Sequence, residues 1–387
     1  MLGIALEGGG AKAAFHMGVV KAFLEEGYEF GGITGTSFGA FNGAMIAQGD
    51  FDAGYRLWEN MNTSQLFDFN KETLAKIISK HIDKETFFHF AARVREFIEN
   101  KGIDASKIRQ MIENIINEDK LRKSPVDFGL VTVSISELKP LELYKEDIPQ
   151  GKIPEYIMAS ANFPGLKIKP IEGKYYLDGG LYDNCPVNLL ARKGYREIIA
   201  VRTLSIGVIQ EIKYPNVKVT SVMPSEDLGN ILNFDNNLIR RNLKMGYYDA
   251  MRTIKGLKGR KYYIYPHNEE FFLQTLCSMP NESIYNLGEL LDINEMDPKR
   301  MMFEKIIPAL TKILGIKGSA SYQDIVIALC EKLAEESGVE KYKIYSFGDF
   351  LAEVKKVSVK KFDKHPKILS KKHVLEVAAQ KILDTIT

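Results

Sequence analysis

"MLGIALEGGGAKAAFHMGVV" (residues 1–20) sets a short apolar run, Leu2 to Leu6, directly before a glycine-rich turn and a stretch whose apolar positions Ala14, Phe15, Val19, Phe23 and Leu24 fall at helical spacing. A buried strand that ends in glycines and restarts as a helix is the building unit of a doubly wound α/β sheet, where chemistry gathers at the carboxyl ends of the strands. The unit then repeats in "GGITGTSFGAFNGAM" (31–45). Residues 30 to 34 read as a second strand, Thr36-Ser37 as a turn, and 38 to 48 as a helix whose small residues can lie close against a sheet.

Farther along, residues 50 to 123 are polar and helical, with breaks near 67–69 and 101–102, and are expected to cover the sheet. Residues 127–135 and 140–147 read as neighbouring strands, and 153–161 as a short helix ended by "NFPG". "KYYLDGGLYDNCPV" (174–187) gives a strand, a tight Asp-Gly-Gly turn and a proline-marked restart. Residues 196–204 form another buried strand, and 261–266 the expected last one. From 268 onward only helical patterns follow. The chain thus divides into an α/β domain, 1–267, and a helical C-terminal region, 268–387, of unassigned role.

The 387 residues are 45% hydrophobic and 26% charged, with a formal net charge of +2, as in an ordinary globular protein. That charge gives no general attraction for nucleic acid, and none is expected as a partner. No apolar stretch reaches the roughly 18–20 residues of a membrane span, and the N-terminus lacks the pattern of a signal peptide. A cytoplasmic location is the resulting expectation. Cys185, Cys277 and Cys330 are odd in number and far apart, which fits free buried thiols, and no cluster has metal-ligand spacing. Lys355, Lys356, Lys360, Lys361, Lys364, Lys367, Lys371 and Lys372 face only Asp363 as counter-charge; such a run reads first as a solvated helical face, with docking to anionic lipid or nucleic acid as the alternative.

"GTSFG" (35–39) fits Gly-x-Ser-x-Gly, in which a sharp strand-to-helix turn thrusts the serine hydroxyl out of the sheet, and Ser37 is the candidate nucleophile. None of His16, His81, His89, His267, His365 and His373 sits in a site motif, and His16 fits a packed or capping role. Asp178 in "YLDGG" is the better base: it ends a strand and two glycines turn the chain away from it. Its structural alternative is an Asx turn. A carboxylate serving as base needs partial burial near Ser37 to raise its pKa. "EGGGAK" (7–12) presents successive amides before a helix, suited to an anion, and beside a serine elbow the fitting anion is the oxyanion of an acyl intermediate. Phe38, Phe41 and Phe163 are candidates to line an acyl channel.

Taken in order, Gly8-Gly9-Gly10-Ala11-Lys12, Gly35-Thr36-Ser37-Phe38-Gly39 and Asp178-Gly179-Gly180 resemble the three motifs of the patatin-like phospholipase family. "ASANFPGL" (159–166) and "YDNCPV" (182–187) are similar to the segments that family carries on either side of its aspartate. Ala13 stands where the family often has glycine. The resemblance covers residues 1 to about 205 and continues to about 266. It implies a patatin-type three-layer α/β fold with a mainly parallel sheet. It also implies hydrolysis of a lipid acyl ester by a Ser37–Asp178 dyad, with Gly8, Gly9, Gly10 and Ala11 around the oxyanion, Lys12, Gly35, Gly39, Gly179 and Gly180 as motif support, and no cofactor. Two other readings stay open: an idle patatin fold that binds lipid or protein, and an α/β-hydrolase using a late histidine, His267, His365 or His373.

Overall fold

The computed structural model describes residues 1–67, 103–293, 297–316, 319–358 and 371–386. Strand β1 (Leu2–Leu6) is flanked by parallel neighbours on both sides, β2 (Phe30–Thr36) and β6 (Glu197–Val201). β3 (Asp127–Ser134) extends the sheet in parallel beyond β2, and β7 (Lys218–Val222) beyond β6. β4 (Lys139–Tyr144) and β5 (Tyr176–Asp178) join β3 antiparallel, completing a seven-stranded sheet in the order β4-β3-β2-β1-β6-β7 with β5 on β3. The predicted strand positions in residues 1–204 are present. β7 is the strand the sequence did not announce, because four of its five residues are exposed or half-buried and leave no apolar run.

Alternation along β1 explains why both faces are covered. Gly3 and Ala5 face the helix Val187–Lys193, where a Cβ on Gly3 would lie 3.1 Å from Leu190, and Ala5 packs with Leu190 and Ala191. Leu6 faces the other way, toward Gly43 of α2 (Phe38–Ala47), which follows α1 (Ala14–Glu25) in the same layer. The result is three layers, helix on sheet on helix. The strand order reverses at β1, since β2 and β3 build out on one side and β6 and β7 on the other. The loops after β1, β2 and β6 therefore meet at the carboxyl edge, where such sheets bind ligands.

The chain forms two compact units, Met1–Ala250 and Met251–Thr387, so the division falls earlier than the expected 267. The reason is local: Tyr262 and Ile264 are buried in the core of the second unit with Phe272, Leu276, Leu329 and Phe350. β8 (Tyr263–Ile264) pairs in parallel with β9 (Ile344–Tyr345) rather than closing the main sheet. This corrects both the expected last strand and the expected absence of strands after 268. Cys185 and Cys330 are buried and free, while Cys277 is exposed, contrary to expectation.

Of the lysine-dense run, Lys355, Lys356, Lys371 and Lys372 are exposed. Lys355 bonds the Ile386 carbonyl and Lys372 pairs with Glu336 at 2.7 Å. Lys360, Lys361, Lys364 and Lys367, with His81, His89 and His365, lie outside the described residues. Among the described residues no helix is long and apolar enough to cross a membrane.

Candidate active site

Ser37 stands at the junction of β2 and α2 with φ 58° and ψ −131°, a conformation that costs a side-chain-bearing residue on the order of 1–3 kcal/mol. The turn is possible because its flanking residues lack side chains. A Cβ on Gly39 would lie 2.3 Å from the Leu6 carbonyl oxygen, and one on Gly35 equally near the Gly39 backbone. Hydrogen bonds fix the strained residue from both sides. Its amide donates to the Ser160 hydroxyl at 2.9 Å, Ser160 in turn donates to the Val131 carbonyl at 2.6 Å, and the Ser37 carbonyl accepts the Ala40 amide at 2.9 Å.

The short strand β5 delivers Asp178 to the same place. Its amide donates to the Asn162 carbonyl at 3.0 Å, and it sits opposite Thr132 of β3, whose hydroxyl bonds the Leu177 carbonyl. The Asx turn weighed as the alternative for Asp178 is present. One carboxylate oxygen accepts the Gly180 amide at 2.8 Å, as in an Asx turn, and the carboxylate lines the same cavity as Ser37. Gly179 carries the turn, its carbonyl accepting the Tyr182 amide. Burial pushes the Asp178 carboxyl up to about 6, against the opposing pull of the Gly180 amide and the Ser37 hydroxyl, which favour the charged form.

The glycine turn divides its four candidate donors into two pairs. The Gly8 amide is taken by the Asn184 carbonyl at 2.9 Å and the Ala11 amide by the Ile231 carbonyl at 2.8 Å. The expectation for Gly8 and Ala11 as oxyanion donors is corrected accordingly: each already has an acceptor within the fold. Gly9 and Gly10 line the cavity beside Ser37, and among the described residues their amides have no acceptor. Gly10 takes φ +54°, and a Cβ there would meet the Ile231 carbonyl oxygen at 2.2 Å. Lys12 is outside the cavity lining; its amide closes the turn onto the Gly9 carbonyl.

The cavity is small, about 50 Å³, against the roughly 300–1,000 Å³ of a site that encloses a drug-sized ligand. Its polar lining is Ser37, Asp178, Asn184 and Ser205 with the two glycines, and its apolar walls include Phe38, Phe67, Ile108, Phe163, Leu166 and Phe234. Phe38 and Phe163 stand where an acyl channel was expected. Phe41 does not; it is buried against Phe38, ring centroids 6.0 Å apart.

Three residues that the sequence reading gave no role hold the site together. Ser160 anchors Ser37. Asn184, 2% exposed, joins the glycine turn to the loop after β6 through its backbone, donating to the Val208 carbonyl and accepting from Gly8. Glu7 is fully buried. One of its oxygens accepts from Arg202 Nε and the Thr203 amide, both at 2.8 Å, so it ties that loop to the glycine turn. The available signal was a carboxylate placed where an apolar strand ends and glycines begin. His16 is buried behind the turn, its Nδ1 3.3 Å from Asn42 Nδ2, and burial lowers its pKa to about 3, which keeps the ring neutral.

Residues 4–191 match the patatin-like phospholipase family. An uncharacterized NTE family protein of Mycobacterium bovis is 26% identical over 190 residues, 49% of this chain and 45% of that protein. Lysophospholipase NTE1 of Kluyveromyces lactis is 27% identical over 297 residues, 74% of this chain and 18% of that protein. The chain thus spans less than half the length of these relatives. The solved structure of VipD from Legionella pneumophila overlays with a TM-score of 0.40 at 15% identity, covering 99% of this chain and 91% of that one. The similarity to the patatin-like phospholipase family thus extends over residues 4–191, just under half of the chain.

Proposed function

We propose that the chain is a lipid acyl hydrolase of the phospholipase A or lysophospholipase type, working through Ser37 and Asp178. The observation that carries this reading is a cavity lined by Ser37, the buried Asp178 carboxylate and two neighbouring glycines, Gly9 and Gly10, whose amides have no acceptor among the described residues. Ser37 Oγ attacks the ester carbonyl while its proton passes to Asp178, and the oxyanion is held by the Gly9 and Gly10 amides. Collapse expels the alcohol, which takes the proton back from Asp178 and leaves an acyl ester on Ser37. Asp178 then removes a proton from water as its oxygen attacks the acyl carbon; collapse breaks the bond to Ser37 Oγ, which takes that proton back from Asp178, and the fatty acid departs.

A carboxylate is a weaker base than imidazole, and its elevation to about 6 brings it near the range a base needs at neutral pH. The apolar walls suit an acyl chain, and the yeast relative's name, a lysophospholipase, supports a phospholipid-derived ester. The test compares wild type, Ser37→Ala and Asp178→Asn on a chromogenic ester and on lysophosphatidylcholine, each checked for folding by circular dichroism. Turnover by wild type, with both folded variants at background, supports the reading. A folded wild type that hydrolyses neither substrate and resists a fluorophosphonate probe overturns it, and leaves a lipid- or protein-binding module.

A further inference from the structure

Leu138 and Leu204 both hold left-handed backbone, φ 52° and 51°, which bulky residues rarely adopt, and both are solvent-exposed, 88% and 55%. A leucine in that conformation is strained, and an exposed one recovers nothing by packing. Their positions relate them. Leu138 lies in the turn after β3 and Leu204 just past the end of β6. The sheet order β3-β2-β1-β6 puts Ser37, after β2, and the Gly9-Gly10 turn, after β1, between them.

Three more exposed apolar side chains continue the row: Ile209 and Ile212 in the loop after β6, and Met223 directly after β7. The Arg202 amide bonds the Val222 carbonyl, so the ends of β6 and β7 are in register, and Val208 pairs with Gly180 and Asn184 beside the cavity. At about 4.8 Å per strand the row from β3 to β7 spans about 19 Å. The other exposed large apolar residues described in this unit, Met1, Leu24 and Tyr28, lie by the opposite ends of β1 and β2.

We infer that this rim is a lipid-docking surface, by which the domain seats the mouth of its cavity on a phospholipid–water interface. The inference rests on the lipid-ester reading, and the cavity's size gives the reason. A space of about 50 Å³ takes little more than the ester and its nearest carbons, so the rest of a lipid stays outside, in whatever phase covers the mouth. The rim has the composition of an interfacial surface, apolar side chains among charged ones. Lys139 and Lys174 flank Leu138 and both pair with Glu137, while exposed Glu211 and Lys213 bracket Ile212. This balance of charge fits zwitterionic headgroups. Buried Glu7 accepts the amides of Thr203, Leu204 and Ser205, which fixes the Leu204 loop in its strained, outward form.

The test is pelleting with phosphatidylcholine vesicles, using the full chain carrying Ser37→Ala so that lipid is not consumed. Leu138→Asn with Leu204→Asn removes the apolar groups while supplying a residue that tolerates left-handed backbone; Ile209→Ser with Ile212→Ser is the second variant. Either pair lowers vesicle partitioning on the order of tenfold. In a chain with Ser37 restored, hydrolysis of a soluble short-chain ester stays within about twofold of wild type, as expected for surface changes. Unchanged pelleting of both variants overturns the inference. So does concentration-dependent self-association, in the absence of lipid, that the variants abolish, because a second copy then covers the rim. A chain that hydrolyses esters but ignores vesicles sinks the rim and leaves the hydrolase reading standing; one that pellets but cleaves no ester does the reverse.

Discussion

The Ser37 amide and the Ser160 hydroxyl lie 2.9 Å apart, joining two segments 123 positions apart in the chain. The same Ser160 hydroxyl donates to the Val131 carbonyl, so one buried oxygen satisfies a strained serine and a strand of the central sheet together. In Ser160→Ala both backbone groups lose their partner in a place water does not reach. Thermal or urea denaturation then shows a loss of about 1–3 kcal/mol. Because Ser37 loses its outward support, kcat on a soluble ester falls more than KM rises. A variant equal to wild type in both readouts would show that the elbow is held by its own helix alone.

Glu7 makes a second, separable prediction. Its buried carboxylate faces Arg202 at 2.8 Å and accepts three consecutive backbone amides. Glu7→Gln keeps the shape but leaves the guanidinium without its counter-charge, a loss of about 3–5 kcal/mol for pairs of this kind. Arg202→Met in the same chain removes the stranded charge. The double variant therefore recovers part of the lost stability, which a double-mutant cycle by chemical denaturation measures. Additive losses would mean that Glu7 acts through the amides and not through Arg202.

These two residues mark where sequence reading reached and where it stopped. β1, β2 and the serine turn were legible because strand, glycine and helix follow each other within a few positions, so local pattern and final structure coincide. The strand and turn that carry Asp178 were legible for the same reason, being adjacent. Which glycine-turn amides stay free was not, because the acceptors that occupy Gly8 and Ala11, the carbonyls of Asn184 and Ile231, come from far along the chain. β8 misled because an apolar run of that length reads alike in any sheet; only its partner β9, some 80 positions later, places it in the second unit.

The glycine turn itself can be tested at Gly10. Alanine there must hold φ +54° and push aside the Ile231 carbonyl, which already accepts the Ala11 amide. The expected result for Gly10→Ala is a folded protein whose kcat falls on the order of a hundredfold or more, the effect of losing one oxyanion donor. Fluorophosphonate labelling of Ser37 slows with it, since that reagent also develops negative charge on oxygen. Unaltered kcat with normal folding would remove Gly10 from the oxyanion site.

Asp178 links activity to stability with opposite signs. Its carboxyl rises from 3.8 to about 6 on folding because burial disfavours the charge, so the folded chain holds this proton more tightly than the unfolded one. The resulting stability is fully present below pH 3.8 and is lost as pH rises through about 6. In the reaction proposed above Asp178 acts in its ionised form, so kcat/KM is expected to rise about tenfold per unit below pH 6 and to level off above it. Asp178→Asn abolishes turnover yet spares the fold a buried charge, and at pH 7.5 it is more stable than wild type by on the order of 2–3 kcal/mol. Near pH 4 the two converge. Asp183, buried and pushed up to about 7, adds a similar slope to both chains and so cancels in the comparison. Urea denaturation of wild type and Asp178→Asn across pH 4 to 8 reads the difference directly. A variant less stable at pH 7.5 would mean that the Gly180 amide and the influence of the Ser37 hydroxyl outweigh burial, and the rate profile would then stay flat to well below pH 6.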